Sequence, residues 1–283
     1  MRIFVSTDME GLPGISAWHH VDIKDKRYLG RYMEETMEWV LEGIKSSPQN
    51  SKIDQILICD SHSLGENMSY DFTALDDRLY LVRGGLRDYY MMAGMDSSFS
   101  TVFFVGYHAG VGALHGTMDH TYSNTAVHSL KINGIRMNET TINAAFAAEF
   151  GAPVSMVIGD HALVEELKPI MPDTVLVETK KGLSRFAAIM KPKNVVKREV
   201  IEATKKALEK TEKGEVKPYK LEAPYTLEIT FRSTEMADEA SLTPGVERVN
   251  GYTIKYVSSS YKDIMQLLLA VIYASRIATE MGR

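Results

Sequence analysis

Four short apolar runs, each closed by a carboxylate or a histidine, constrain this chain more than any other feature. Ile3-Phe4-Val5 leads into Ser6-Thr7-Asp8-Met9-Glu10-Gly11. Gln55-Ile56-Leu57-Ile58-Cys59 leads into Asp60-Ser61-His62, and Thr101-Val102-Phe103-Phe104-Val105 into Gly106-Tyr107-His108. Ala152-Pro153-Val154-Ser155-Met156-Val157-Ile158 ends at Gly159-Asp160. Runs this short and this continuously apolar read as strands buried on both faces. Between the first two, Tyr28 to Ile44 carries Tyr32, Met33, Met37, Val40, Leu41 and Ile44 at helical spacing. Strand, helix, strand in that order predicts a parallel βαβ unit. The expected fold class is α/β, a three-layer core with a largely parallel sheet. Such sheets bind ligands outside the carboxyl ends of their strands, which is where the carboxylates and histidines stand.

The remainder supplies further elements. Arg78 to Val82 reads as a strand, and Thr125 to Ile132 as another, closed by the hairpin signal Asn133-Gly134. Asn138-Glu139 opens a helix through Ala148, and Ala162 to Ile170 forms a short one. Thr174 to Val177 reads as a strand. Lys180 to Arg185 reads as a basic loop, either a solvated turn or a contact for an anionic group. Pro192 to Lys210 is a long amphipathic helix with Pro at its start. Residues 211–224 are charged and contain Gly214, Pro218 and Pro224, the best linker in the chain. Beyond it come a strand (225–231), a helix (233–240), a strand (252–257) and a helix (261–279). The expected division is a metal-binding catalytic domain over residues 1–217 and a C-terminal α+β subdomain over residues 218–283.

Composition removes several function classes. The net charge of -5, with no basic run interleaved with aromatics, argues against nucleic acid. A single cysteine, Cys59, excludes an internal disulfide and any Cys-rich zinc motif. Its place at the end of an apolar strand makes it a core residue rather than a nucleophile. The most apolar long stretch, Ile264 to Ala274, is too short to span a bilayer. The N-terminus runs directly into a strand without signal-peptide architecture. The expectation is a soluble cytoplasmic protein with no membrane partner.

The chemistry concentrates in Asp8, Glu10, His62, His108 and Glu139. If the first strand stays extended through Met9, Asp8 and Glu10 point to one side. Two such carboxylates are costly unless neutralised, and a divalent ion is the simplest neutraliser; the alternative is a polar surface loop. Glu139 equally suits a helix start, where its charge complements the dipole. Three carboxylates and two histidines can hold two divalent ions, zinc or else manganese or cobalt. Two ions ~3.5–4 Å apart polarise a carbonyl and activate a shared water. A further histidine would manage protons, and His115 and His120 are available. The adjacent His19 and His20 suit a loop or substrate contact better than ligation. Gly110-x-Gly112-x-x-x-Gly116 lacks the spacing and the helix of a dinucleotide loop.

Five blocks in order resemble the zinc-dependent D-aminopeptidases. They are Ser6-x-Asp8-x-Glu10-Gly11, Asp60-Ser61-His62, Gly106-Tyr107-His108-Ala109, Met118-x-His120, and Ile132-Asn133 through Glu139. The resemblance implies two Zn2+ per subunit bridged by Asp8, with Glu10 and His62 completing one site and His108 and Glu139 the other. It implies that His120 is catalytic. It further implies cleavage of short peptides with N-terminal D-amino acids, of the D-Ala-D-Ala type, inside a ring-like homodecamer. Two rival readings are a dinuclear hydrolase of another small amide or phosphate ester, and a non-catalytic metal-stabilised assembly protein.

Overall fold

The computed structural model describes residues 1–22 and 30–281, with side chains described to residue 275. Tyr28, where the first helix was expected to start, lies outside the described residues. Six parallel strands form the main sheet. In chain order they are β1 (Arg2–Thr7), β2 (Gln55–Asp60), β3 (Leu79–Val82), β4 (Thr101–Tyr107), β7 (Val154–Gly159) and β8 (Val175–Glu178). Their spatial order is β3-β2-β1-β4-β7-β8. The chain builds outward from β1 in one direction and then crosses back to β4. The point where strand order reverses therefore lies between β1 and β4.

Alternation along each strand divides the core. Ile3 and Val5 of β1, with Phe103 and Val105 of β4, join one cluster, whose other side is supplied by α1 (Arg31–Lys45) and α4 (Lys193–Glu212). Phe4, Val102 and Phe104 join the opposite cluster with α2 (Glu139–Ala148). Both faces of β1 and β4 are thus dry, which accounts for their unbroken apolar runs.

The second cluster continues into a five-stranded antiparallel sheet. It is formed by β5 (Val127–Ile132), β6 (Ile135–Arg136), β11 (Tyr225–Phe231), β12 (Glu247–Arg248) and β13 (Thr253–Ser258), in the order β12-β13-β11-β5-β6. α5 (Thr234–Ser241) and α6 (Tyr261–Met281) pack with it. The sheet crosses the expected division at 217/218, because Leu227 of β11 pairs with Ile132 of β5 and Ile229 with Leu130. The linker composition of residues 211–224 marks a surface crossing. It does not mark a boundary between sheets.

The expected basic loop at 180–185 is instead a hairpin. β9 (Lys180–Ser184) pairs with β10 (Ala187–Met190), following α3 (His161–Leu167) and β8. Its alternation is masked in sequence because Lys180 is fully buried while Leu183 and Ile189 are exposed.

Candidate metal centre

Three backbone segments meet at the strand-order reversal. β1 ends at Thr7, and the chain then turns rather than continuing extended through Met9. Asp8 N–H donates to Val105 O at 2.7 Å, and Gly11 N–H to Gly106 O at 2.7 Å. A Cβ on Gly11 would overlap the Tyr107 carbonyl, so only glycine permits this approach. Gly11→Ala is accordingly expected to destabilise the protein by about 1–3 kcal/mol, the usual range for overpacking. A urea unfolding curve with an unchanged midpoint would show that the contact is dispensable.

His62 stands two residues beyond β2, His108 one beyond β4, and Glu139 is the first residue of α2. Asn138 caps that helix, accepting from Thr141 N–H at 2.8 Å in a reciprocal capping box. Asp8, Glu10, His62, His108 and Glu139 are all buried, at 1–9% exposure. The turn from Met9 to Leu12 keeps the two carboxylates together, as the extended geometry was meant to. His62 Nδ1 lies 3.2 Å from Asp8 Oδ1 and 3.1 Å from Glu10 Oε2. His108 Nε2 lies 3.5 Å from Asp8 Oδ2 and 3.6 Å from Glu139 Oε2. His120 Nε2 lies 3.7 Å from Glu139 Oε1. Donor atoms of Asp8, Glu10 and His108 lie within 4.8 Å of one another, as do those of His108, His120 and Glu139.

Two observations fit these residues to divalent ions. First, His108 Nδ1 donates to the Ala109 carbonyl at 3.0 Å, which leaves Nε2 pointing at two carboxylates. That atom is buried and has no hydrogen-bond partner; the carboxylates are too distant to serve. Second, ligand atoms ~2.0–2.2 Å from one tetrahedral zinc lie about 3.4 Å from each other. The separations of 3.1–3.6 Å among these five residues match that spacing.

The titration behaviour has the same cause. Burial raises the Asp8 carboxyl, and the Glu10 charge adds to the effect. Burial opposes ionisation of Glu10 too, but His62 outweighs it and holds the carboxyl well below the usual range. Burial works to neutralise His108, yet the charges of Glu139 and Asp8 outweigh it and raise the imidazole to about 10. The carboxylates draw positive charge inward, from protons on imidazoles or from a cation. An ion would also supply the partner that His108 Nε2 lacks.

His120 is placed differently. Its ring stacks on His108 with centroids 4.1 Å apart, and Trp18 packs against it edge-on at 5.5 Å. Nδ1 donates to Met118 O at 2.9 Å, so Nε2 is the lone-pair nitrogen facing the cluster. Burial and the His108 charge lower its pKa, which keeps the ring neutral. The cavity in front holds about 200 Å3 and is lined by Asp8, Glu10, His62, His120 and Glu139, with Trp18, Tyr90 and Tyr122.

Known proteins match this chain along almost its whole length. The family described as D-aminopeptidase matches residues 1–270. The chain belongs to the D-aminopeptidase family. It is, by that membership, a hydrolase of peptide bonds. A curated D-aminopeptidase of Bacillus subtilis (strain 168) is 29% identical over 281 residues, covering 98% of each chain. A solved structure, described as the Zn-dependent D-aminopeptidase DppA from Bacillus subtilis, a self-compartmentalizing protease, is 28% identical. It matches with a TM-score of 0.87 over 98% of both chains.

Other residues singled out in the sequence have different places in this D-aminopeptidase fold. His115 is exposed and bonds Leu183 O at 3.0 Å; it does not line the cavity. His128 is exposed on β5 in the second sheet. Trp18–His20 forms one 3-10 turn, of which only Trp18 reaches the cavity. Cys59 is a fully buried core residue. Asp160 caps α3 and also receives Ala109 N–H and Thr117 N–H, each at 3.1 Å, which braces the loop after His108. Asp60 is saturated by Asn67 and Met68 and holds the loop beyond His62.

Several further residues take roles that only the fold reveals. Ser6 Oγ lies 2.7 Å from both Ser61 Oγ and Tyr107 OH, and Asn143 Nδ2 donates to Tyr107 OH at 3.1 Å. This network lies beneath the cluster. Tyr122 N–H donates to Glu139 Oε1 at 2.6 Å and orients that carboxylate. Lys180, read as part of a basic loop, is fully buried behind Glu10 and is pushed by burial down to about 7. Neither a Lys-Lys pair nor a hydroxyl in an apolar strand announces such a contact without the fold.

Proposed function

We propose that this chain is a dinuclear, zinc-dependent aminopeptidase that releases N-terminal D-amino acids from short peptides of the D-Ala-D-Ala type. The observation that carries the reading is the division of Asp8. Its Oδ1 faces His62, which in turn faces Glu10, while its Oδ2 faces His108, which in turn faces Glu139. One carboxylate between two donor sets suits a bridging ligand, with Glu10 and His62 on one side and His108 and Glu139 on the other. Manganese or cobalt suits the same donors. Ions held by these residues would supply Lewis acidity toward the peptide carbonyl and would lower the pKa of water.

The chain's own residues supply the rest. His120, fixed as the Nδ1–H tautomer by Met118, presents Nε2 to accept a proton and return it to the departing amine. Trp18 walls off its outer side. The cavity of about 200 Å3 is smaller than the roughly 300–1,000 Å3 typical of sites for larger ligands, which favours short substrates with small side chains. The solved relative is described as self-compartmentalizing, and we extend that to a ring-like homo-oligomer, a decamer, for this chain. Among the described residues no helix is long and apolar enough to cross a membrane.

The test is metal content per chain on protein purified without chelator, read beside a substrate panel and native mass spectrometry. Expected are about two ions per chain, as a two-metal site requires, D-Ala-D-Ala cleaved in preference to L-Ala-L-Ala, and a closed oligomer. Two ions with cleavage of a lactam or p-nitrophenyl phosphate in place of peptides would overturn the substrate class. Two ions with no turnover at all would leave a metal-stabilised assembly.

A further inference from the structure

The acidic segment after β1 has no regular structure of its own, yet it must hold two candidate ligands in register. Its carbonyls do not face solvent. Three successive ones, those of Glu10, Gly11 and Leu12, are gathered by two adjacent residues at the base of β9. Lys180 Nζ donates to Glu10 O and, at 2.8 Å, to Leu12 O. Thr179 Oγ1 donates to Gly11 O at 2.7 Å, and Thr179 N–H is anchored on Gly159 O at 2.9 Å. Lys180 is among the largest fully buried side chains of the molecule. A buried ammonium is costly unless paired, and what it pairs with is the backbone of the ligand loop, within the field of Asp8, Glu10 and Asp160.

We propose that Lys180, assisted by Thr179, is a positioning residue that fixes the Glu10–Leu12 segment for metal capture. The inference rests on the metal reading given above. Lysine suits the task because one nitrogen offers three donors on a compact charge. Two of them take carbonyls on either side of Gly11, and the loop is clamped from behind without occupying a ligand position. The clamp acts on one side of the cluster. Glu10 lies on the gripped segment, whereas Asp8 is pinned by its own N–H on Val105 O, and His108 and Glu139 are held by Ala109, Tyr122 and the cap of α2. Loosening the clamp therefore weakens the ion beside Glu10 and His62 more than the ion beside Glu139.

Lys180→Met keeps the length and removes the donors. Zinc affinity of the metal-stripped full chain is read by competition with a chromophoric chelator, and the two sites are followed through the visible spectrum of the cobalt form. Wild type is expected to bind in two steps. Lys180→Met should weaken one step about 10–100-fold, the range for residues that orient metal ligands, shift the cobalt bands of that step and leave the other within about twofold. Two unchanged steps in a folded Lys180→Met overturn the proposal. So does equal weakening of both, which is what general loosening of the core produces. Thr179→Val carries the test should Lys180→Met fail to fold: a selective loss of a few fold in the same step supports the clamp, and no loss refutes it. A wild type that takes up no zinc removes the metal reading itself, a result distinct from any of these.

Discussion

Asp8→Asn is expected to empty the centre. The substitution is nearly isosteric but removes the charge from the one carboxylate that faces both donor sets, with His62 at 3.2 Å from Oδ1 and His108 at 3.5 Å from Oδ2. Metal content should fall from about two ions per chain to well below one, since each candidate site loses its shared ligand. Turnover should fall by ~10^3-fold or more, because every ~1.4 kcal/mol of lost transition-state stabilisation is tenfold and each ion is worth several. The fold should survive. Burial and the Glu10 charge already oppose ionisation of Asp8 in the metal-free chain, so a neutral amide there relieves repulsion. Glu10→Gln, removing a ligand of one site only, should lose about one ion instead of both. Retention of two ions by Asp8→Asn would refute the bridging role.

His120→Asn separates a proton carrier from a ligand. His120 stands close enough to His108 and Glu139 to count among their possible metal partners. Its Nε2 is nevertheless 3.7 Å from Glu139, its ring lies flat on His108, and Trp18 closes its far side. Asparagine can still donate to the Met118 carbonyl but cannot shuttle a proton at neutral pH. The expected outcome is a kcat reduced by about 10^2–10^4-fold, the range for removal of a general acid–base group, with two ions still bound and KM little changed. Loss of an ion together with activity would place His120 among the ligands and leave the proton carrier unassigned.

The legibility of this site followed from where its residues sit. Asp8, His62 and His108 each come within two residues of the end of a strand built on an apolar run. A parallel sheet gathers such ends whatever the loops do, so their proximity could be argued from hydrophobic pattern alone. Glu139 was legible as a helix start and, through resemblance, as a ligand. Its position opposite His108 depends on packing between α2 and the sheet. Asp8 and Glu10 converge for a reason other than the expected one. The chain turns after Asp8, from Met9 to Leu12, where Gly11 and Gly106 let two backbones touch, and close backbone approach leaves no periodic trace.

The sequence left both His120 and His115 available, and the fold gives them different surroundings. A loop braced by Asp160 turns His115 outward to Leu183 and His120 inward to the cavity. Spacing along an irregular loop does not encode direction. Lys180 shows the converse. A lysine in a Lys-Lys-Gly run looks solvated, yet this one is sealed behind the acidic segment because β9 begins there with its first side chain pointing inward.

By itself the sequence determined the α/β core, the strands that form it and the residue types poised at their ends. These are local properties: apolar runs of strand length, helical periodicity and polar closure act within a few residues. Tertiary structure alone decided the strand order that puts the reversal between β1 and β4, and the joining of β5 and β6 to the C-terminal strands across residues 211–224. It also decided the partners that reach the centre from afar, Trp18 over His120 and Lys180 beneath Glu10. Those contacts join segments more than a hundred residues apart. They are fixed by which surfaces can be buried together, a condition on the whole chain that no single stretch carries.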